Sequence, residues 1–125
     1  MPHKVNIIAE NVQVEAELND GPTAKSIIDA LPIETFAKRW GGEIYFSIDV
    51  EATLEEDSRD VLEAGELAFW PPGKAFCIFF GPTPASQGDE IRAASKVNII
   101  GKMKSDASGL WDVPNEATIV ITITE

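Results

Sequence analysis

Strict alternation of apolar and polar residues constrains this chain more than any other feature. Val12, Val14, Ala16 and Leu18 alternate with Gln13, Glu15 and Glu17, while Val5 and Ile7 flank Asn6. Near the end Ile119, Ile121 and Ile123 interleave with Val120, Thr122 and Thr124. A period of two sends successive side chains to opposite faces, so these runs must be strands with one face buried. Glu10-Asn11 joins the first two runs as a hairpin connection, Asn11 being the residue suited to a positive φ.

Helical periodicity occurs once. Ala24, Ile27, Ile28 and Leu31 recur at helical spacing and form one apolar stripe. The turn cluster Asn19-Asp20-Gly21-Pro22 precedes it, Thr23 stands at the N-cap position, and Pro32 ends it. This predicts a helix over residues 23–31, lying across the end of a sheet structure.

Further strands follow from composition. After Gly41-Gly42, the residues Ile44, Phe46 and Ile48 share one strand face, with Glu43, Tyr45 and Ser47 on the other. Residues 66–70 form another strand, which Pro71-Pro72-Gly73 must end in a bulge or turn. Residues 76–80 are apolar on both faces, as a central strand requires. The last strands are residues 97–103 and 117–124. Between these elements lie an acidic exposed loop at residues 51–62 and a Pro- and Gly-rich loop at residues 81–90. In the loop at residues 106–116, Leu110, Trp111 and Val113 can cover an open sheet edge. Many strands, one helix and no repeat favour a barrel over a parallel α/β sheet, in a single domain spanning residues 1–125.

Charge and inventory narrow the function. The net charge of −11, from 21 acidic and 10 basic residues, repels phosphate backbones and argues against nucleic acid and anionic membranes as partners. No stretch is long and apolar enough for a membrane span, and the start of the chain does not read as a signal peptide. The lone Cys77 fits a reducing compartment, so a cytoplasmic location is expected. Cys77 stands mid-strand among apolar residues and reads as core, and His3, the lone histidine, is the one candidate base for a Cys or Ser nucleophile. One His and one Cys cannot assemble a transition-metal site, and Gly41-Gly42 precedes a strand rather than a helix, so no metal and no nucleotide cofactor are expected.

Three stretches carry a resemblance: Trp40-Gly41-Gly42-Glu43-Ile44-Tyr45-Phe46, the segment from Trp70-Pro71-Pro72-Gly73-Lys74 to Gly81-Pro82-Thr83-Pro84, and Ala94-Ser95-Lys96-Val97-Asn98-Ile99-Ile100-Gly101-Lys102. Together they resemble the small prokaryotic single-domain proteins grouped with the cyclophilin-like superfamily. That resemblance implies a closed, eight-stranded antiparallel β-barrel with the helix covering one end. Cyclophilins that isomerise prolyl bonds carry an Arg in a Phe-His-Arg type motif; here Thr35-Phe36-Ala37-Lys38-Arg39-Trp40 stands near that place, and Arg39 lacks the flanking pattern.

The residues left with chemistry to offer are aromatic and few. Glu43, Tyr45, Trp70, Lys74 and Phe80 come from segments that a barrel can gather at one mouth, with Trp40 beside them. An apolar groove with a few placed polar groups is the usual make-up of a ligand site, so binding of a small molecule or an extended peptide is the leading expectation. Two alternatives stand beside it. One is peptidyl-prolyl isomerase activity, with Arg39 or Lys74 as the donor to the twisted amide. The other is an accessory or regulatory role in an amide-cleaving enzyme, as the wider superfamily implies. Homodimerisation through an exposed edge strand is also open to such a chain.

Overall fold

A computed structural model describes residues 3–124. The alternating runs form β1 (His3–Ala9) and β2 (Val12–Leu18), an antiparallel hairpin in register from His3 opposite Leu18 to Ala9 opposite Val12. Val5, Ile7 and Ala9 on one strand, with Val14, Ala16 and Leu18 on the other, are buried on the same face. Slipping by one residue would turn all six to solvent, which fixes the register. In the connection Glu10, not Asn11, takes the left-handed backbone at φ 52°. The Glu10 carboxylate accepts a hydrogen bond from the Thr118 hydroxyl at 2.7 Å, an anchor that holds it in the turn.

Helix α1 (Pro22–Ala30) begins one residue earlier than its periodicity predicts, because Pro22 supplies a preset φ and lacks only an N–H that would have no partner there. Thr23 is therefore inside the helix and not its N-cap. Its backbone N–H donates to Glu55 Oε2 at 3.2 Å, and its hydroxyl bonds the same oxygen. A carboxylate from the acidic loop thus supplies the capping acceptor, and Glu55 is not the freely solvated residue that its charged surroundings predict. Asn98, fully buried, completes the junction by accepting from the Glu55 N–H at 2.7 Å and donating to Thr23 Oγ1 and to the Thr53 carbonyl.

The remaining strands are β3 (Ile33–Phe36), β4 (Lys38–Arg39), β5 (Glu43–Ser47), β6 (Arg59–Leu62), β7 (Glu66–Trp70), β8 (Ala75–Phe79), β9 (Ile91–Met103) and β10 (Thr118–Ile123). All pairings are antiparallel, in the order β3-β10-β1-β2-β9-β7-β8-β5-β4, with β6 paired to β9 off this path. Two expectations, the strand number and the closure, are met only in part. Among the described residues ten strands are assigned where eight were expected, and backbone pairing alone does not close the path into a barrel. The ends of the path, β3 and β4, are separated in sequence by Ala37 alone. There the chain changes partners: Ala37 bonds residues 116 and 117 alongside β10, while Lys38 and Arg39 pair with β5. The two ends of the path are thus joined by the chain itself through Ala37 and not by strand pairing.

The sheet carries two apolar clusters. The larger gathers the inner faces of β1, β2, β5, β8 and β10 with Ala24 and Ile27 of α1, and Leu110 and Val113 plug its end. The smaller lies on the opposite face of β7 and β8, where Leu62, Ala68, Cys77 and Phe79 pack with Ile91, Ala93 and Val97. Every residue of β8 is buried, as a central strand with apolar residues on both faces must be. The smaller cluster exists because β9 is longer than its sequence predicts. Its second half pairs with β7 and β2, while residues 91–97 run with β6 as an arm over the sheet. Among the described residues no helix is long and apolar enough to cross a membrane.

Candidate functional site

Two glycines set the geometry. The Trp40–Glu43 turn is closed by reciprocal backbone bonds, Trp40 N–H to the Glu43 carbonyl at 2.9 Å and Glu43 N–H to the Trp40 carbonyl at 3.2 Å. Gly42 lies flat against the next turn: its N–H reaches the Pro82 carbonyl at 2.8 Å, and its carbonyl accepts from the N–H groups of Phe80 and Gly81. A Cβ at Gly42 would fall 2.2 Å from the Gly81 carbonyl carbon, so only glycine fits. Trp40 and Glu43 are thereby held side by side at the start of β5.

From there pairing distributes the side chains. Ile44 and Phe46 turn into the larger core, while Glu43 and Tyr45 face the other way. Tyr45 stands opposite Cys77 of β8, and Cys77 opposite Ala68 of β7, so all three share one row of the outer face. The arm of β9 passes over this row. Between arm and sheet is a pocket of about 160 Å³ with Glu43, Tyr45 and Cys77 on the sheet side and Ala93, Ala94 and Val97 on the arm side. Trp40 and Trp70 complete its lining. The Trp70 indole N–H donates to Ser95 Oγ at 2.6 Å and ties the arm to the end of β7.

Glu43 is the unusual group. It is 6% exposed, and burial pushes its carboxyl up to about 7, opposed in part by the adjacent Cys77 thiol. No cation among the described residues pairs with it. Cys77 is itself 2% exposed, and burial, reinforced by the neighbouring Glu43 charge, pushes its thiol well above the ordinary range. A thiol so held stays protonated and is no nucleophile. Its placement agrees with the reading of Cys77 as core, with one addition: the same residue forms part of the pocket surface.

Three of the five expected site residues, Glu43, Tyr45 and Trp70, meet in this pocket. Phe80 does not. It shares the parity of Phe76 and Ile78 and packs into the larger core, edge-on to Trp111 with ring centroids 4.9 Å apart. Lys74 does not either: it takes a left-handed backbone at φ 50° after the 3₁₀ turn Pro71–Gly73. From there its Nζ pairs with Glu51 Oε1 at 2.9 Å outside the pocket. Arg39 also lies elsewhere, in the cap over the larger core. It donates to the Gly41 carbonyl at 2.9 Å and the Val113 carbonyl at 2.6 Å, with its guanidinium over the rings of Phe80 and Trp111.

Sequence reasoning passed over Ala93, Ala94 and Val97 as site residues, because an Ala- and Ser-rich run gives no alternating signal for the arm. The parity of β8 was the available clue to Cys77, since a residue opposite Tyr45 must share its face. Among the described residues no group of three or more His, Cys, Asp or Glu side chains could hold a metal ion.

A predominantly antiparallel β-fold with one short helix, bearing a small aromatic-lined pocket on the outer face of its sheet, is the class of structure defined here. The profile of the cyclophilin-like family matches residues 3–122, and the chain belongs to that family. Among solved structures it is similar to a hypothetical protein from Archaeoglobus fulgidus determined in solution, with 42% identity and a TM-score of 0.83. That match covers 98% of this chain and 95% of the archaeal one. A search of curated proteins finds no match.

Proposed function

We propose that this protein is a binding module that receives a small molecule, or one apolar side chain of an extended peptide, between the β9 arm and the outer face of β5 and β8. The observation that carries this reading is the convergence of Glu43, Tyr45, Trp40 and Trp70 on one concavity. Such a site combines a large apolar surface with few polar groups, and the buried Glu43 carboxyl and the Tyr45 phenol provide the orienting contacts. The isomerase alternative draws no support from Arg39 or Lys74, whose donors are engaged away from the pocket.

Chemical-shift mapping with a library of small aromatic and aliphatic fragments tests the reading. Shifts should concentrate on the Trp40 and Trp70 indoles and on Ala94. A bulky Ala94→Trp substitution, at an exposed position on the pocket lining, should suppress them. Shifts confined to other surfaces, or undiminished in the Ala94 variant, would remove the proposal.

A further inference from the structure

The polar content of the pocket is one-sided. A carboxyl and a thiol sit on its sheet side, two indoles and a phenol surround them, and the arm contributes the methyl groups of Ala93, Ala94 and Val97. That lining has no cationic side chain to hold an anion, and a single carboxylate cannot hold a hard metal ion, which needs several oxygen ligands. A buried carboxyl without a counter-charge either holds a proton or takes a positive partner in its place. The partner's shape is also restricted, because an apolar wall cannot replace the hydration of a compact ammonium but suits alkylated nitrogen, whose charge is spread over methyl groups. Indole and phenol rings are the side chains that best attract such cations.

We propose that the pocket binds an organic cation, a quaternary or alkylated ammonium head, with Glu43 as its counter-charge and Trp40, Tyr45 and Trp70 as its aromatic surround. This rests on the binding-module reading and names the ligand class for that same site. Charged and titratable groups on the surrounding elements leave Glu43 without a competing cation. Arg39 of β4 is bound to backbone carbonyls, Arg92 of the β9 arm pairs with Glu90 and Asp60, and Glu66 of β7 pairs with Arg59. Lys38 of β4 and Lys96 of the arm are exposed and make no ion pair with Glu43. Cys77 of β8 lines the same pocket as a neutral thiol, and Tyr45 stands two residues along β5.

Cation binding must then follow the ionisation of Glu43, which is half complete near pH 7. If only the carboxylate form binds, the apparent affinity falls about thirtyfold from about pH 8.5 to about pH 5.5. The test compares choline with 3,3-dimethylbutan-1-ol, which replaces the nitrogen by carbon at the same size. Both are titrated into the intact protein while the Trp40 and Trp70 indole resonances are followed. Choline should bind more tightly at the higher pH and lose that advantage at the lower one. Glu43→Gln should leave the two probes equal and pH-independent. Ala94→Trp, which keeps the carboxyl, should block both probes and serves if the Gln variant does not fold. Equal binding of the two probes at both pH values overturns the cation assignment and leaves the binding-module reading standing. If neither probe moves those indoles at about 100 mM, well above ordinary weak binding, the cation assignment falls, and the binding-module reading falls with it only if the fragment library also leaves the indoles unmoved.

Discussion

Replacing Glu43 by Gln should stabilise the protein at pH 8 and leave it nearly unchanged at pH 4. Burial holds this carboxyl near 7, whereas in the unfolded chain it titrates near 4.5. Between those values the native state binds the proton more tightly than the unfolded state, so stability declines as pH rises. The contribution of Glu43 is fully present below about pH 4.5 and is lost as pH rises through about 7. At about 1.4 kcal/mol per pH unit the loss amounts to about 3 kcal/mol, or about 10 °C in melting temperature for a domain of this size. Other carboxylates act in the opposite sense: Glu51, Glu66, Glu90 and Asp106 are held below their ordinary range by their partners and stabilise the fold less as acid protonates them. The informative quantity is therefore the difference between wild type and Glu43→Gln, measured by urea unfolding at intervals from pH 4 to pH 8.5. It should grow steadily up to about pH 7 and then level off. A difference that is flat across this range would refute the burial of an unpaired carboxyl.

Glu66 provides the contrasting case. Burial pushes its carboxyl up, but Arg59 and the Glu63 N–H more than reverse this, with Arg59 contacts of 2.8 and 2.6 Å. Glu66→Gln should cost about 2 kcal/mol at pH 7, and thermal melts should show the penalty vanishing as pH falls through the depressed carboxyl value. Gly42→Ala should be far more damaging than Gly88→Ala. The first drives a methyl into the Gly81 backbone, while the second has open space around it and loses about 1 kcal/mol through its positive φ; equal unfolding midpoints would contradict this. Trp70→Phe leaves an aromatic ring in place of the indole and deletes the 2.6 Å bond to Ser95, so amide exchange at residues 93–97 should accelerate while β1 and β10 stay protected.

Residues whose environment is set by short-range alternation were legible in the sequence. Glu43 and Tyr45 were placed on one face and Ile44 and Phe46 on the other because a strand of fixed parity admits nothing else. Trp70 was legible because Pro71-Pro72 had to end its strand at that point. Phe80 was misplaced for a related reason: on a strand buried on both faces, an aromatic residue gives no sign of which face it occupies. Only the pairing of Ile44 with Ile78 and Tyr45 with Cys77 settles it. Lys74 was misplaced because the 3₁₀ turn rotates the chain before β8, a geometry that Pro-Pro-Gly does not specify. The least legible parts were β6 and the arm of β9. Their residues, such as Arg59, Asp60, Arg92 and Ser95, are polar or small, and they become strands only by pairing with residues distant in the chain, as Arg59 does with Val97.

The passage through Ala37 also bears on how this molecule meets its neighbours. A sheet end with unbonded amides invites other chains to add a strand. Here the two terminal ribbons are four and two residues long and belong to one continuous run, so a visiting strand finds only a brief row of open amides on either side. A backbone cut beside Ala37 would leave the ribbons paired to β10 and β5 but remove the link between them, turning a continuous passage into two separate margins.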